Sequence, residues 1–180
     1  METGLKEKID ALGPWAQRIK FHTKTENLAT PGKWYPEKYY ELLSPFMDKD
    51  LKGKLVIDCG CNAGGVGMEF AKRGAKVIGL DKGQRCIDQA NLYKDTCYPD
   101  LDINFFCDSV FNLHKYPKAD YVLCLGLIYH FRYYQLLLDY LSFIEMGKLF
   151  ISTQIYNNKH GGGESSNNRK SNAKPYLQKN

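Results

Sequence analysis

No apolar run in this sequence is long enough to cross a bilayer. The longest, around residues 121–129, falls far short of the roughly 20 residues that a spanning helix needs. The opening METGLKEKID lacks the apolar stretch of a secretory signal, so a soluble, cytoplasmic protein with no membrane contact is expected. G-x-x-x-x-G-K-[ST] is missing, which excludes a triphosphate-cradling loop. C-x-x-C is missing too: Cys59 and Cys61 are separated by one glycine, and no second pair stands at zinc-finger distance. The six cysteines are therefore read mostly as buried, inert thiols, and no metal site is expected. No internal repeat is present.

What is there describes one globular domain. The chain has 180 residues, 43% hydrophobic and 25% charged, enough for a single sizeable core and too few for two. Its net charge of +5 resembles a nucleic-acid signature until it is located. Lys159, Arg169, Lys170, Lys174 and Lys179 against Glu164 place +4 of it after residue 156. That end, which includes GGGESSNNRKSN, reads as a solvated basic tail able to touch phosphate.

Periodicity divides the chain into an N-terminal helical lid segment (1–50), an alternating core (51–156) and a basic low-complexity tail (157–180). In the front, Ile9, Leu12, Trp15 and Ile19 recur at helical spacing across a Gly13-Pro14 break. Tyr39, Leu42, Leu43 and Phe46 form a stripe that predicts a helix over Pro36–Met47. The core reads as five strands at Leu55–Asp58, Lys76–Asp81, Ile103–Asp108, Ala119–Leu125 and Lys148–Tyr156, separated by helical or looped crossovers. Uninterrupted apolar strands alternating with helices predict an α/β fold: a doubly wound, mostly parallel sheet with helices on both faces.

Such a sheet binds ligands beyond the carboxyl ends of its strands. The first strand ends in Asp58-Cys59-Gly60-Cys61-Asn62-Ala63-Gly64-Gly65, a glycine-rich turn. The second ends in Asp81-Lys82, where a carboxylate can accept from both ribose hydroxyls. The third leads into Asp108-Ser109, suited to an exocyclic amine, and the fourth into Leu125 and then Tyr129-His130, a phenol and an imidazole above the crevice. Asn62 stands where a dinucleotide enzyme carries its second glycine, which disfavours NAD-dependent oxidoreduction.

VIDCGCNAGG followed by VIGLD resembles motifs I and II of the class I S-adenosylmethionine-dependent methyltransferases, whose fold is Rossmann-like. FHTKTENLATPGKWYPEKYYELL and CLGLIYHF are similar to the tRNA wobble-uridine carboxymethyltransferase subgroup. The resemblance implies S-adenosyl-L-methionine as cofactor, held by Asp58, Gly60, Cys61, Asn62 and Gly64 around the methionine moiety. It implies Asp81 and Lys82 at the ribose, Asp108 and Ser109 at the adenine, and Leu125 and Tyr129 beside the sulfonium. Trp34 and Lys38 align with cofactor or substrate contacts, and His22 with the substrate lid. His130 reads either as the base that takes the acceptor's proton or as a structural histidine; an imidazole is the side chain that titrates nearest neutrality. Tyr39-Tyr40 and Tyr133-Tyr134 read as helix packing.

The acceptor implied is an RNA base or a small-metabolite hydroxyl or amine. After the fifth strand the sequence shows no antiparallel strand pair of the kind this family carries there, so the expectation is an apparently truncated sheet with an open edge. A longer enzyme, a homodimer completed through that edge, or a non-catalytic module that keeps the cofactor pocket or only the fold all accommodate this.

Overall fold

The computed structural model describes residues 4–24 and 26–154, so the basic tail lies outside the described residues. The front segment contains helix α1 (Leu5–Ala11), a short hairpin β1 (Lys20–His22) with β2 (Asn27–Ala29), and helix α2 (Pro36–Leu43), which continues as one 3-10 turn to Phe46. This corrects the all-helical reading of the front. Pro14 cannot donate into a helix or fit inside one, so the chain beyond it runs as an extended strap. Trp15 and Ile19 are buried from that strap instead of from a helix face.

Five parallel strands follow: β3 (Leu55–Cys59), β4 (Lys76–Asp81), β5 (Ile103–Cys107), β6 (Tyr121–Leu125) and β7 (Lys148–Ser152). They pair in the order β5-β4-β3-β6-β7. Helix α3 (Gly65–Ala71) links β3 to β4, α4 (Gln84–Cys97) links β4 to β5, a 3-10 turn (Val110–Lys115) precedes β6, and α5 (Tyr134–Phe143) precedes β7. The chain winds outward from β3 through β4 to β5, then returns across the sheet to β6. The order therefore reverses between β3 and β6, where the crevice of a doubly wound sheet opens.

Side chains alternate along each strand, so the sheet feeds two cores. Val56, Val77, Ile103, Phe105 and Leu123 face one core, shared with Ile9, Trp15, Phe21, Met68, Phe70 and Tyr93 of the front segment, α3 and α4. Ile57, Cys59, Leu80, Val122 and Cys124 face the other, under Leu137 and Leu141 of α5 and Val110 and Leu113 of the 3-10 turn. The front segment is thus part of the main core. Two buried polar side chains tie it down. Gln89 of α4 donates through Nε2 to the carbonyls of Leu12 (2.7 Å) and Pro14 (3.0 Å). Thr30 Oγ1 accepts from the Ile19 N–H and donates to the Gln17 carbonyl. Among the described residues no helix is long and apolar enough to cross a membrane.

Candidate functional site

The turn after β3 takes its shape from three left-handed residues: Gly60 (φ 75°), Asn62 (φ 51°) and Gly64 (φ 73°). Asparagine is among the few residues with a Cβ that enter this region readily. Asn62 therefore keeps the backbone path of a glycine-rich loop while adding a side chain, whose Oδ1 accepts from the Ala63 N–H at 2.9 Å. The N–H groups of Gly60 and Cys61 both donate to the Leu80 carbonyl, at 2.7 and 2.9 Å, anchoring the turn to the end of β4. A side chain at Gly60 would stand 2.9 Å from Leu127 Cδ1, so the loop after β6 closes directly over this turn.

Two carboxylates frame it. Asp81 accepts from the Asn62 N–H (3.0 Å) through Oδ2 and from the Gly83 N–H (2.9 Å) through Oδ1. Each oxygen keeps acceptor capacity for a further donor such as a ribose hydroxyl. Lys82, beside it, is exposed. Asp58 is buried, 3% exposed, and its Oδ2 accepts from the Gly67 N–H at 3.2 Å. Burial, only partly offset by that hydrogen bond and reinforced by the nearby Asp81 charge, pushes its carboxyl up to about 7. A cation placed here would lower it again, which fits the ammonium or sulfonium of an amino-acid-derived cofactor.

At the third strand end, Asp108 is already engaged. Its Oδ1 accepts from the Ser109 N–H (2.7 Å) and Asn112 Nδ2 (2.5 Å), and its Oδ2 accepts from the Tyr116 hydroxyl at 2.9 Å. These donors hold the carboxyl below its ordinary value. Ser109 caps the 3-10 turn, its Oγ accepting from the Phe111 N–H at 3.3 Å. Asp108 and Ser109 therefore shape the rim beside β5, with one Oδ2 lone pair left to meet an amine.

The fourth strand end brings Leu125, half-buried, to the crevice, followed by a 3-10 turn over Ile128–His130. A side chain at Gly126 would meet the Tyr129 hydroxyl at 3.3 Å, so this phenol folds back over the tip of β6. The His130 ring lies 4.4 Å from that of Tyr129.

His22 bonds through Nδ1 to Asn27 Oδ1 and through its backbone N–H to the sulfur of Cys97, the last residue of α4, and it lines a cavity with Pro36 and Gly65. Tyr39 and Tyr40 both pack against the main core, as read from sequence. Tyr40 lies edge-on to Phe70 and under Arg73, and burial, reinforced by Tyr129 and Asp58, raises the Tyr39 phenol. Tyr133 and Tyr134 are exposed at 65% and 47%, so they are not helix packing. Among the cysteines, Cys59, Cys61 and Cys124 are buried, Cys86 and Cys97 half-buried, and Cys107, at the end of β5, exposed with its sulfur on the Lys82 carbonyl.

Gln17 went unnoticed in the sequence. Its Oε1 accepts from the Gly65 N–H (2.9 Å) and its Nε2 donates to the Cys61 carbonyl (3.3 Å), so the strap grips both ends of the turn. Gly65 permits the approach: a side chain there would lie 2.4 Å from Pro36 Cγ and 2.8 Å from Ile19 Cδ1. This brings α2 to the crevice flank, with exposed Trp34 just before it and exposed Lys38 in its first turn.

A methyltransferase domain profile matches residues 56–141. A tRNA U34 carboxymethyltransferase of Campylobacter hominis is 36% identical over 100 residues, 54% of this chain and 34% of that protein. A ubiquinone biosynthesis O-methyltransferase of Coxiella burnetii is 34% identical over 106 residues, 57% of this chain and 44% of that protein. The chain thus spans less than half the length of these curated relatives. Among solved structures, magnesium protoporphyrin IX methyltransferase of Synechocystis with bound S-adenosylmethionine superposes with a TM-score of 0.54 at 21% identity, over 64% of this chain and 55% of that one. Residues 56–141 thus match a methyltransferase domain, and the sheet order is that of the Rossmann-like fold seen in S-adenosylmethionine-dependent methyltransferases.

Proposed function

We propose that the protein binds S-adenosylmethionine at the ends of β3, β4 and β5 and transfers its methyl group to an acceptor entering between α2 and the loop after β6. The observation that carries this reading is the turn itself: three left-handed residues closed over by Leu127, with a buried carboxylate at one end and Asp81 at the other. Asp58 would meet the methionine end, Asp81 and Lys82 the ribose, and Asp108 with Ser109 the adenine edge.

The bound cofactor supplies a methyl on a positive sulfur, already a good leaving group. The protein's task is then to align the acceptor and exclude water. Leu127 and Tyr129 cover the turn, and Tyr39 closes the opposite side. When bound, the cofactor would supply that methyl to an acceptor oxygen or nitrogen, leaving as a neutral thioether. The acceptor's proton passes to His130 or to water. The relatives' names include a tRNA uridine and a ubiquinone precursor, so RNA and small-molecule acceptors both belong to this proposal. So does a further strand on the free edge of β7, from beyond the described residues or from a second copy.

Incubation with methyl-labelled cofactor and separate RNA and small-metabolite pools tests the reading. Label transfer that His130→Ala lowers by 10²-fold or more supports a catalytic base, within the usual range for one. Tight cofactor binding with no transfer to any pool would identify a non-catalytic binding module instead.

A further inference from the structure

The segment 126–134 sorts its side chains sharply. Leu127, Ile128 and Phe131 turn inward onto the core under α5, while Tyr129, His130, Arg132, Tyr133 and Tyr134 are exposed. The outward set contains four rings and one guanidinium, with no carboxylate. Tyr133 is 65% and Tyr129 42% exposed, a dense display of aromatic surface for one short loop. Arg132 lies 5.4 Å from the Tyr133 ring centroid and has no acidic partner within ion-pair distance among the described residues.

Resting on the methyltransferase reading, we propose that the acceptor is a planar aromatic ring bearing an adjacent anionic group: the ring lies against Tyr133 and Tyr129, and the anion meets Arg132. Rings favour stacked or edge-on partners, and a planar guanidinium matches carboxylate and phosphate in two-point geometry. With the ring held by Tyr129 and Tyr133, a hydroxyl or amine on it is presented beside His130, the group available to receive its proton. A saturated or cationic acceptor would find neither complement here. A nucleobase with its phosphate and a free aromatic acid share this chemistry.

The test uses the full chain saturated with S-adenosylhomocysteine and four probes at equilibrium: uridine 5′-monophosphate, 3,4-dihydroxybenzoate, catechol and cyclohexanecarboxylate. The two ring-plus-anion probes should bind about tenfold more tightly than the two that lack one feature, the scale of one charge-assisted contact or one aromatic contact. Arg132→Gln should bring dihydroxybenzoate down to catechol, and Tyr133→Leu should bring it down to cyclohexanecarboxylate. Both positions are exposed, and an unchanged cooperative melt with an intact S-adenosylhomocysteine shift verifies that the variants fold. Equal affinity for all four probes, no binding of either ring acid, or an anion preference that survives Arg132→Gln overturns the proposal. Loss of the S-adenosylhomocysteine shift in the unmodified protein would instead overturn the methyltransferase reading. With the proposal upheld, tighter binding of a decauridylate with a steep salt dependence assigns the ring to nucleic acid; a shallow dependence assigns it to a free aromatic acid.

Discussion

Asp58 is the most strained choice of residue in the molecule, a carboxyl enclosed at the tip of β3 with one backbone donor. Its folded-state value of about 7 lies above the usual 3.8, so between those values the native state holds a proton that the unfolded state has released. Stability therefore falls as pH rises through that window. Asp58→Asn should melt higher than the parent at pH 8 and level with it near pH 4, in paired thermal scans. The same replacement should weaken cofactor binding, because the charge that a cationic ligand recruits is gone. The Asp81 carboxylate holds two backbone N–H groups of the turn and, in the proposed complex, would also take the ribose hydroxyls, so Asp81→Ala should weaken cofactor affinity by more than tenfold by calorimetric titration, charge-assisted hydrogen bonds contributing roughly 1.5–3 kcal/mol each. These residues stand out in the sequence because their signals are local: glycines, Asn62 and two aspartates at the ends of apolar runs. Tyr39, Gln17 and Arg132 stayed hidden because nothing near them in the chain sets them apart. Only the packing of α2 on α3, and the inward turn of Leu127, Ile128 and Phe131, gives them a place.

The strap and its glutamine decide how the turn is held. Replacing Gln17 by Leu leaves the Gly65 N–H and the Cys61 carbonyl without their partner in a buried place, at a cost of about 1–3 kcal/mol. The expected result is a lower denaturant midpoint with an unchanged slope. Gly65→Ala should be at least as damaging, because the added methyl meets Pro36 and Ile19 at once and α2 must lift from α3. At this scale β3 to β7 and α2 stand within a few residues of where periodicity puts them, since each carries a full apolar face. The β1–β2 hairpin was not legible, as three residues per strand are too few to show an alternation. The helical spacing of Trp15 and Ile19 misled for a related reason: an extended strap lying across helices can bury residues at almost any interval.

For the molecule as a whole, the order β5-β4-β3-β6-β7 is what gathers residues from positions 17 to 133 around one crevice. Alternating strands and helices announced a doubly wound sheet, and right-handed crossovers left few other orders open. They did not announce that the front segment would share the main core, which brings α2 to the flank of the crevice. The central claim is that this crevice is an S-adenosylmethionine site. Thermal melts of the chain with S-adenosylmethionine, S-adenosylhomocysteine or NAD, each near 100 times its dissociation constant, test it most directly. The first two should each add about 2.7 kcal/mol of stability and NAD none. A cooperative melt that neither adenosyl ligand shifts, or that NAD shifts equally, would contradict it.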